Sequence, residues 1–226
     1  MRVLAVIPAY NEEACIRQTV SSLVAACPTI DFLVVNDGST DKTREICEQN
    51  GYRVLNLSVN SGLACGFQAG MKYAYRYGYD AVVQFDADGQ HLPNYIPSMA
   101  EVMDSQNADI VIASRVLAGE TIDGGRGVGS KLIATLIRLT SGVRLTDPTS
   151  GMRMYNRHMI DLFAHSYDFT PEPDTVALIA RKGGKVVEVP AHMRERQSGQ
   201  SYFDFSHVMR YMSRICASIL FLQWFR

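Results

Sequence analysis

Residues 81–88 read Ala81-Val82-Val83-Gln84-Phe85-Asp86-Ala87-Asp88, five apolar or near-apolar residues followed by two carboxylates. The first five predict a buried strand, and its C-terminal end is where open α/β sheets place their ligands. Alternate residues of an extended segment point the same way, so Asp86 and Asp88 can converge on one hard cation. A Mg²⁺ or Mn²⁺ held by one or two carboxylates keeps positions free for substrate phosphates, which points to a nucleotide-linked substrate. The competing reading is a solvated acidic turn, and the rest of the chain has to decide between the two.

Outward from this segment, short apolar runs alternate with helical patterns. Strands are expected near 3–7, 32–36, 53–57, 81–85 and 109–113, and helices near 13–26, 41–50, 64–77 and 95–104. This alternation predicts an α/β fold with a mostly parallel, Rossmann-like sheet flanked by helices. The second half changes character. Residues 119–129 are glycine-rich and predict a mobile loop. A helix near 130–141, a turn at Asp147-Pro148-Thr149-Ser150-Gly151, helices near 156–164 and 173–182, and a strand at 185–189 come next. After a polar stretch at 194–201, a final amphipathic helix spans about 204–226, so the chain divides into 1–203 and 204–226. In that helix Phe205, Val208, Met209, Met212, Ile215, Cys216, Ile219 and Leu222 recur at helical spacing, with Arg210 and Arg214 opposite. A basic amphipathic helix ending in Trp224 and Phe225 suits a membrane interface or a hydrophobic partner. An ordinary helix packed on the domain is the alternative.

The other strand ends carry small polar residues. Pro8-Ala9-Tyr10-Asn11-Glu12-Glu13 follows the first strand, where a dinucleotide-binding protein would show G-x-G-x-x-G; no P-loop is present either. The segment combines a stiff turn, an aromatic ring and carboxylates able to meet a base and ribose. It also reads as a helix start with Asn11 as N-cap. Asp37, in Asn36-Asp37-Gly38-Ser39-Thr40-Asp41, can accept the N–H of a base. Gly62 would allow close backbone approach to a ligand. Turn chemistry explains each singly, but the set reads as a nucleotide crevice.

A length of 226 residues suits one domain, and a net charge of −1 lacks the basic excess of a nucleic-acid binder. Acidic side chains dominate before residue 115 and basic ones after it, consistent with a metal site in one half and anion-binding groups in the other. Five cysteines at irregular spacing predict reduced thiols and a cytoplasmic protein. No signal peptide and no stretch of ~18–20 apolar residues are visible.

Together these residues resemble the family 2 inverting glycosyltransferases of GT-A fold, and most closely the polyprenyl-phosphate glycosyltransferases, including dolichol-phosphate mannose synthases. In that family a segment like Pro8–Glu13 and the aspartate of Asn36–Thr40 hold the nucleotide, and the Asp-x-Asp holds the metal. The resemblance extends to Phe85–His91, to Ile112-Ala113-Ser114-Arg115, and to Asp147–Arg153, with Met152 where phenylalanine is usual. It continues through Glu188-Val189-Pro190 and Arg194–Ser201. It implies nucleotide contacts from Pro8, Tyr10, Glu12, Asp37, Gly62, Asp86 and Arg196, and a Mg²⁺ or Mn²⁺ at Asp86, Asp88 and Gln90. The implied reaction is inverting sugar transfer from a nucleoside-diphosphate sugar to polyprenyl phosphate, for cell-surface polysaccharide. UDP-glucose or UDP-N-acetylglucosamine is favoured over GDP-mannose.

Because the acceptor is already an anion, cations must position it: Arg115 and Arg126, with Ser130 and Arg153 behind them. Asp147 either orients an arginine or acts as a base, and Glu172 is the second carboxylate considered. Were the acceptor a saccharide hydroxyl, one of these two would be the essential base. A non-catalytic nucleotide-sugar-binding subunit is disfavoured by the intact Asp86-Ala87-Asp88 and Arg115. The chain departs from the family at Gln200, where basic character is usual, and at the stiffer Pro171-Glu172-Pro173-Asp174. It also lacks the C-terminal transmembrane pair of many bacterial relatives. A peripheral position at the inner face of the membrane is therefore expected, through the last helix or a small integral-membrane partner; an oligomer is also considered.

Overall fold

The computed structural model describes residues 1–122, 124–194 and 205–225, with the side chains of 126, 205–209, 224 and 225 outside that description. The strands are β1 (Val3–Ala9), β2 (Asp31–Asp37), β3 (Val54–Leu57), β4 (Ala81–Gln84), β5 (Ile110–Ser114), β6 (Arg153–Asn156) and β7 (Val186–Pro190). Between them run α1 (Ile16–Ala26), α2 (Thr43–Gln49), α3 (Leu63–Arg76), α4 (Ile96–Gln106), α5 (Gly124–Ser141), α6 (Arg157–His165) and α7 (Pro173–Arg181). The last helix is α8 (Phe205–Leu220).

The strands form one sheet in the order β3-β2-β1-β4-β6-β5-β7. The β1–β2, β1–β4, β2–β3 and β5–β7 pairs are parallel, while β6 runs antiparallel to both neighbours. Every residue of β4 and β5 is buried, as expected where helices cover both faces of parallel strands. Alternation along β1 splits the core. Ala5 and Ile7 face Ile16, Val20, Met99 and Met103 of α1 and α4. Leu4 and Val6 face the layer that includes Phe67 of α3, Ile133 of α5, Val176 of α7 and Ile215 of α8. None of the five cysteines forms a disulfide, and Cys15, Cys27 and Cys47 are buried.

Four expectations need correction. The strand expected through Phe85 ends at Gln84, so Asp88 sits in the turn beyond it. Helix α1 begins at Ile16 with Cys15 before it, and Asn11 adopts φ 55° in the preceding loop, so Asn11 is not its N-cap. The strand β6 is absent from the sequence expectation, because four residues after a turn carry too short a pattern. Finally, the expected glycine-rich loop is already helical from Gly124. A Cβ on Gly127 would lie 1.8 Å from the Ile122 carbonyl oxygen, and one on Gly129 3.1 Å from Met212 Sδ. At both positions the missing side chain admits close packing, and tertiary contact outweighs the low helix propensity of glycine.

The last helix packs on the domain. Ile215 and Ile219 are fully buried in the core with Ile133 and Ile137 of α5. Its apolar stripe, which suggested a membrane face for 204–226, is thus turned inward over these residues.

Candidate functional site

The C-terminal ends of β1, β2 and β4 meet in a cavity of about 300 Å³ lined by Pro8, Tyr10, Glu12, Asp37, Asp86 and Asp88. Its walls are laced together by short polar bonds. Asn11 N donates to Ser39 Oγ at 3.0 Å, Thr40 N to Asn11 Oδ1 at 2.9 Å, and Glu12 N to Thr43 Oγ1 at 2.8 Å. Two loops that leave different strands are thereby fixed to one another. Asp37 is 4 % exposed, and its two oxygens accept from Ser61 N (2.8 Å) and Gly62 N (2.7 Å). It ties the end of β2 to the start of α3 and still offers lone pairs to the cavity. Gly62, expected for close approach to a ligand, does not line the cavity; its φ of 87° instead aims its N–H at Asp37. Leu63 and Gly66 line the wall in its place.

Asp86 also borders a second cavity of about 300 Å³, together with Gln90, Arg115, Arg153, Glu172 and Tyr211. The two chambers therefore share Asp86. His91 fixes that carboxylate: Nδ1 accepts from Asp86 N at 2.9 Å, leaving Nε2 to carry the proton of the neutral ring, 3.4 Å from Asp86 Oδ2. With both ring nitrogens engaged, His91 orients Asp86 and holds the turn in shape. Asp88 Oδ1 accepts from Gln90 N at 3.1 Å. Among the described residues no three His, Cys, Asp or Glu side chains are grouped to enclose a metal. Two carboxylates and the Gln90 amide offer only hard oxygen donors. That incomplete set suits a cation whose remaining positions go to phosphate oxygens and water.

Gly151 belongs to this geometry, since a Cβ there would lie 3.0 Å from Asp86 Oδ2 and 3.4 Å from His91 Nε2. Gly151→Ala is expected to displace the Asp86 carboxylate and lower turnover about 10- to 100-fold, the scale of an ångström-sized misplacement. Its melting temperature should move by only a few degrees. Steady-state kinetics and thermal unfolding of the same preparation check this; unchanged turnover would show that the carboxylate position is immaterial.

The far wall is built on a charged fork. Arg115 donates from Nε to Asp147 Oδ2 at 2.7 Å and from Nη2 to Asp147 Oδ1 at 2.8 Å. Its own N–H adds a third bond to Oδ2 at 3.2 Å. These bonds to Asp147 raise the arginine's pKa further, against the opposing effect of burial. Asp147 is fully buried and lines neither cavity, so it stands behind Arg115 and does not face a substrate. Glu188, of the Glu-Val-Pro segment, accepts from Thr146 N and Asp147 N at 2.7 Å each and holds the turn in place. Thr149 Oγ1 donates its one proton to Asp147 Oδ1 at 3.1 Å, and the Ser130 hydroxyl of α5, 3.1 Å away, is left to donate to Thr149 Oγ1.

Arg153 is 2 % exposed and threads under the same turn, donating from Nε to Ser150 O and from Nη2 to Pro148 O. Its Nη1 has no hydrogen-bond partner among the described residues. The side chain of Arg126 and all of Arg196 lie outside the described residues; the backbone of Arg126 is in the first turn of α5. Sequence reasoning missed Tyr211, which lies beside the helical apolar pattern and carries no local hint that it lines a cavity.

The family described as "Glycosyl transferase family 2" matches residues 4–163. A polyprenol monophosphomannose synthase of Mycolicibacterium smegmatis is 33 % identical, over 95 % of this chain and 85 % of that one. An undecaprenyl-phosphate mannosyltransferase of Micrococcus luteus is 35 % identical, over 89 % and 87 %. Among solved structures, glucosyl-3-phosphoglycerate synthase of Mycobacterium tuberculosis in complex with Mg²⁺ and UDP superposes with a TM-score of 0.69 at 20 % identity. The alignment covers 97 % of this chain and 78 % of that one.

Proposed function

This chain belongs to glycosyl transferase family 2 and is a hexosyltransferase of GT-A fold, and on that premise we propose that it moves the hexose of a nucleoside-diphosphate sugar onto polyprenyl phosphate, with inversion. The observation that carries this reading is the pair of chambers meeting at Asp86: a nucleotide-sized crevice at the strand ends, and beyond it a pocket walled by Arg115. The base and ribose fit beside Tyr10, Glu12 and Asp37, and the diphosphate ends at Asp86 and Asp88. Mg²⁺ or Mn²⁺ fits the oxygen set of Asp86, Asp88 and Gln90, where it supplies Lewis-acid stabilisation of the leaving diphosphate. The acceptor phosphate brings its own nucleophilic anion, so the residues around it need only bind and aim it. Arg115, held in one rotamer by Asp147, presents a preorganised guanidinium for that purpose. Arg126, in the first turn of the helix that borders this wall, is assigned to the same phosphate, and Ser130, buried behind Thr149, supports the wall.

The relatives named for mannose transfer support GDP-mannose as a donor on a level with UDP-glucose and UDP-N-acetylglucosamine. A saccharide-hydroxyl acceptor is the second reading, favoured by one observation: the Glu172 carboxylate borders the second chamber and could serve as base. One assay separates all of these. Purified protein is incubated with the three donors, with polyprenyl phosphate or with oligosaccharide, in Mg²⁺ or after chelation. Lipid-linked hexose that disappears on chelation and returns with Mg²⁺ is the expected result. Product on the oligosaccharide alone would overturn the lipid reading.

No helix of the described residues is long and apolar enough to cross a membrane. The outer face of α5 nevertheless exposes Val128, Leu132 and Leu139, spaced to lie on one stripe, with Lys131 and Arg138 along its edge. Leu220, Phe221 and Leu222 are exposed at the end of α8, which packs against α5. Such a rim of apolar and cationic side chains supports peripheral attachment to an anionic bilayer. Leu139→Glu combined with Phe221→Glu is expected to abolish sedimentation with anionic vesicles and leave nucleotide affinity unchanged; retained sedimentation would exclude this surface.

A further inference from the structure

The second chamber is closed by a helix from the far end of the chain. Tyr211 of α8 lines it, and its phenol donates to Glu172 Oε2. Arg214, one turn along the same helix, brings Nη2 to 3.9 Å from the other oxygen, Oε1. Glu172 has little freedom of its own. It is the extended residue just before α7 (φ −117°, ψ 161°), set between Pro171 and Pro173, and its side chain is 21 % exposed. The same segment is tied to α8 and the residues just beyond it twice more: Ser218 Oγ donates to Asp174 Oδ2 at 2.8 Å, and Gln223 Nε2 to Asp174 O at 2.6 Å. Burial, and then the Glu172 charge, push the Tyr211 hydroxyl well above its ordinary range, so the phenol stays a donor.

An ionised carboxylate accepts at about four sites, and Tyr211 uses one of them. Arg214 is too distant and too exposed to occupy a second firmly. The remaining acceptor capacity faces a chamber that starts at Asp86, where the proposed donor's diphosphate ends. In a nucleotide sugar the terminal phosphate is joined to a ring of hydroxyl donors.

We propose that Tyr211 is a positioning residue, setting the Glu172 carboxylate from α8 so that it accepts the hydroxyls of the donor hexose. The inference rests on the nucleotide-sugar reading. Its consequence is that sugar recognition in this chain depends on how its last helix is seated. The segment Pro171-Glu172-Pro173-Asp174, stiffer than its family counterpart, is the one that the C-terminal segment grips, at Glu172 and Asp174.

The test is Tyr211→Phe, which keeps the ring and its packing and deletes one hydrogen bond. Its kcat/KM for the nucleotide sugar should fall about 10- to 100-fold, the usual cost of removing a partner that orients a functional group. Affinity for the nucleoside diphosphate without sugar should match that of the wild type by calorimetry, a split that a general structural defect would not produce. Combined with Glu172→Gln, the second change should add little, because both act through one carboxylate. Wild-type kcat/KM in Tyr211→Phe, an equal loss of nucleoside diphosphate affinity, or fully multiplicative losses in the pair would each overturn the proposal. If the wild-type protein transfers hexose and Tyr211→Phe transfers it equally well, only the role of α8 falls. If the wild type uses no nucleotide sugar, the donor reading falls and this inference with it.

Discussion

Asp88→Asn is expected to cut hexose transfer by ~10²–10³, the scale of losing one electrostatic stabiliser from an active site, with little change in stability. The geometry explains why the two effects separate. Asp88 is 5 % exposed, and its Oδ1 accepts the Gln90 N–H that shapes the turn. An asparagine oxygen accepts that bond as well as a carboxylate does, so the turn keeps its shape and only the charge is lost. Turnover at saturating Mg²⁺, measured beside a thermal melt, checks the prediction. Near-normal turnover would reduce the Asp-x-Asp to a surface turn.

Asp147→Asn should do the opposite and damage the fold as well as the reaction. Asp147 is fully buried and accepts three bonds from Arg115. An amide at that place sets an NH₂ group against N–H donors and leaves the Arg115 guanidinium, 27 % exposed, without its counter-charge. Breaking a fully buried pair costs about 3–5 kcal/mol, an upper bound here because Arg115 opens on a cavity. For a chain of this size that is a fall of roughly 6–20 °C in melting temperature. Transfer should drop by at least ~10², because the guanidinium is no longer held where the acceptor phosphate needs it. Arg115→Met with Asp147→Leu supplies the control. It removes both charges, so much of the stability should return while transfer stays lost. A double variant with recovered activity would detach the pair from the reaction.

The sequence disclosed different parts of this site to different degrees, for physical reasons. Asp86 and Asp88 were legible because an apolar run ending in carboxylates is a local pattern, and β4 delivers both to one cavity. Arg115 and Asp147 were legible as separate motifs, with Asp147 orienting an arginine as one of two alternatives. Their fork depends on β5 and the turn before β6 lying side by side, which no local spacing encodes. The helical character of 124–129 was hidden because glycine content measures backbone freedom, whereas here it measures how near Ile122 and Met212 come. Periodicity in 205–222 pointed to an apolar face that includes the buried Ile215 and Ile219 but could not say what covers it. Core residues from α5 do so, and that inward turn carries Tyr211 to Glu172.

The antiparallel strand β6 has a consequence for how the chain reaches this state. It is wedged between β4 and β5, so those two strands never pair with one another although they are consecutive parallel strands in the chain. During synthesis β4 leaves the ribosome with β1 as its only available partner, and its other edge stays bare until residues 153–156 emerge. The sheet formed by β1, β2, β3 and β4 can assemble early from local crossovers, but β5 must wait for both β6 and β7. Formation of the nucleotide crevice should therefore precede that of the Arg115 wall, with the late step limited by closure of long loops. Until then an unpaired strand edge, apolar but for Gln84, is open to other chains. Aggregation in this protein is thus expected to be most sensitive to changes that delay β6, even ones that leave the finished structure as stable as before.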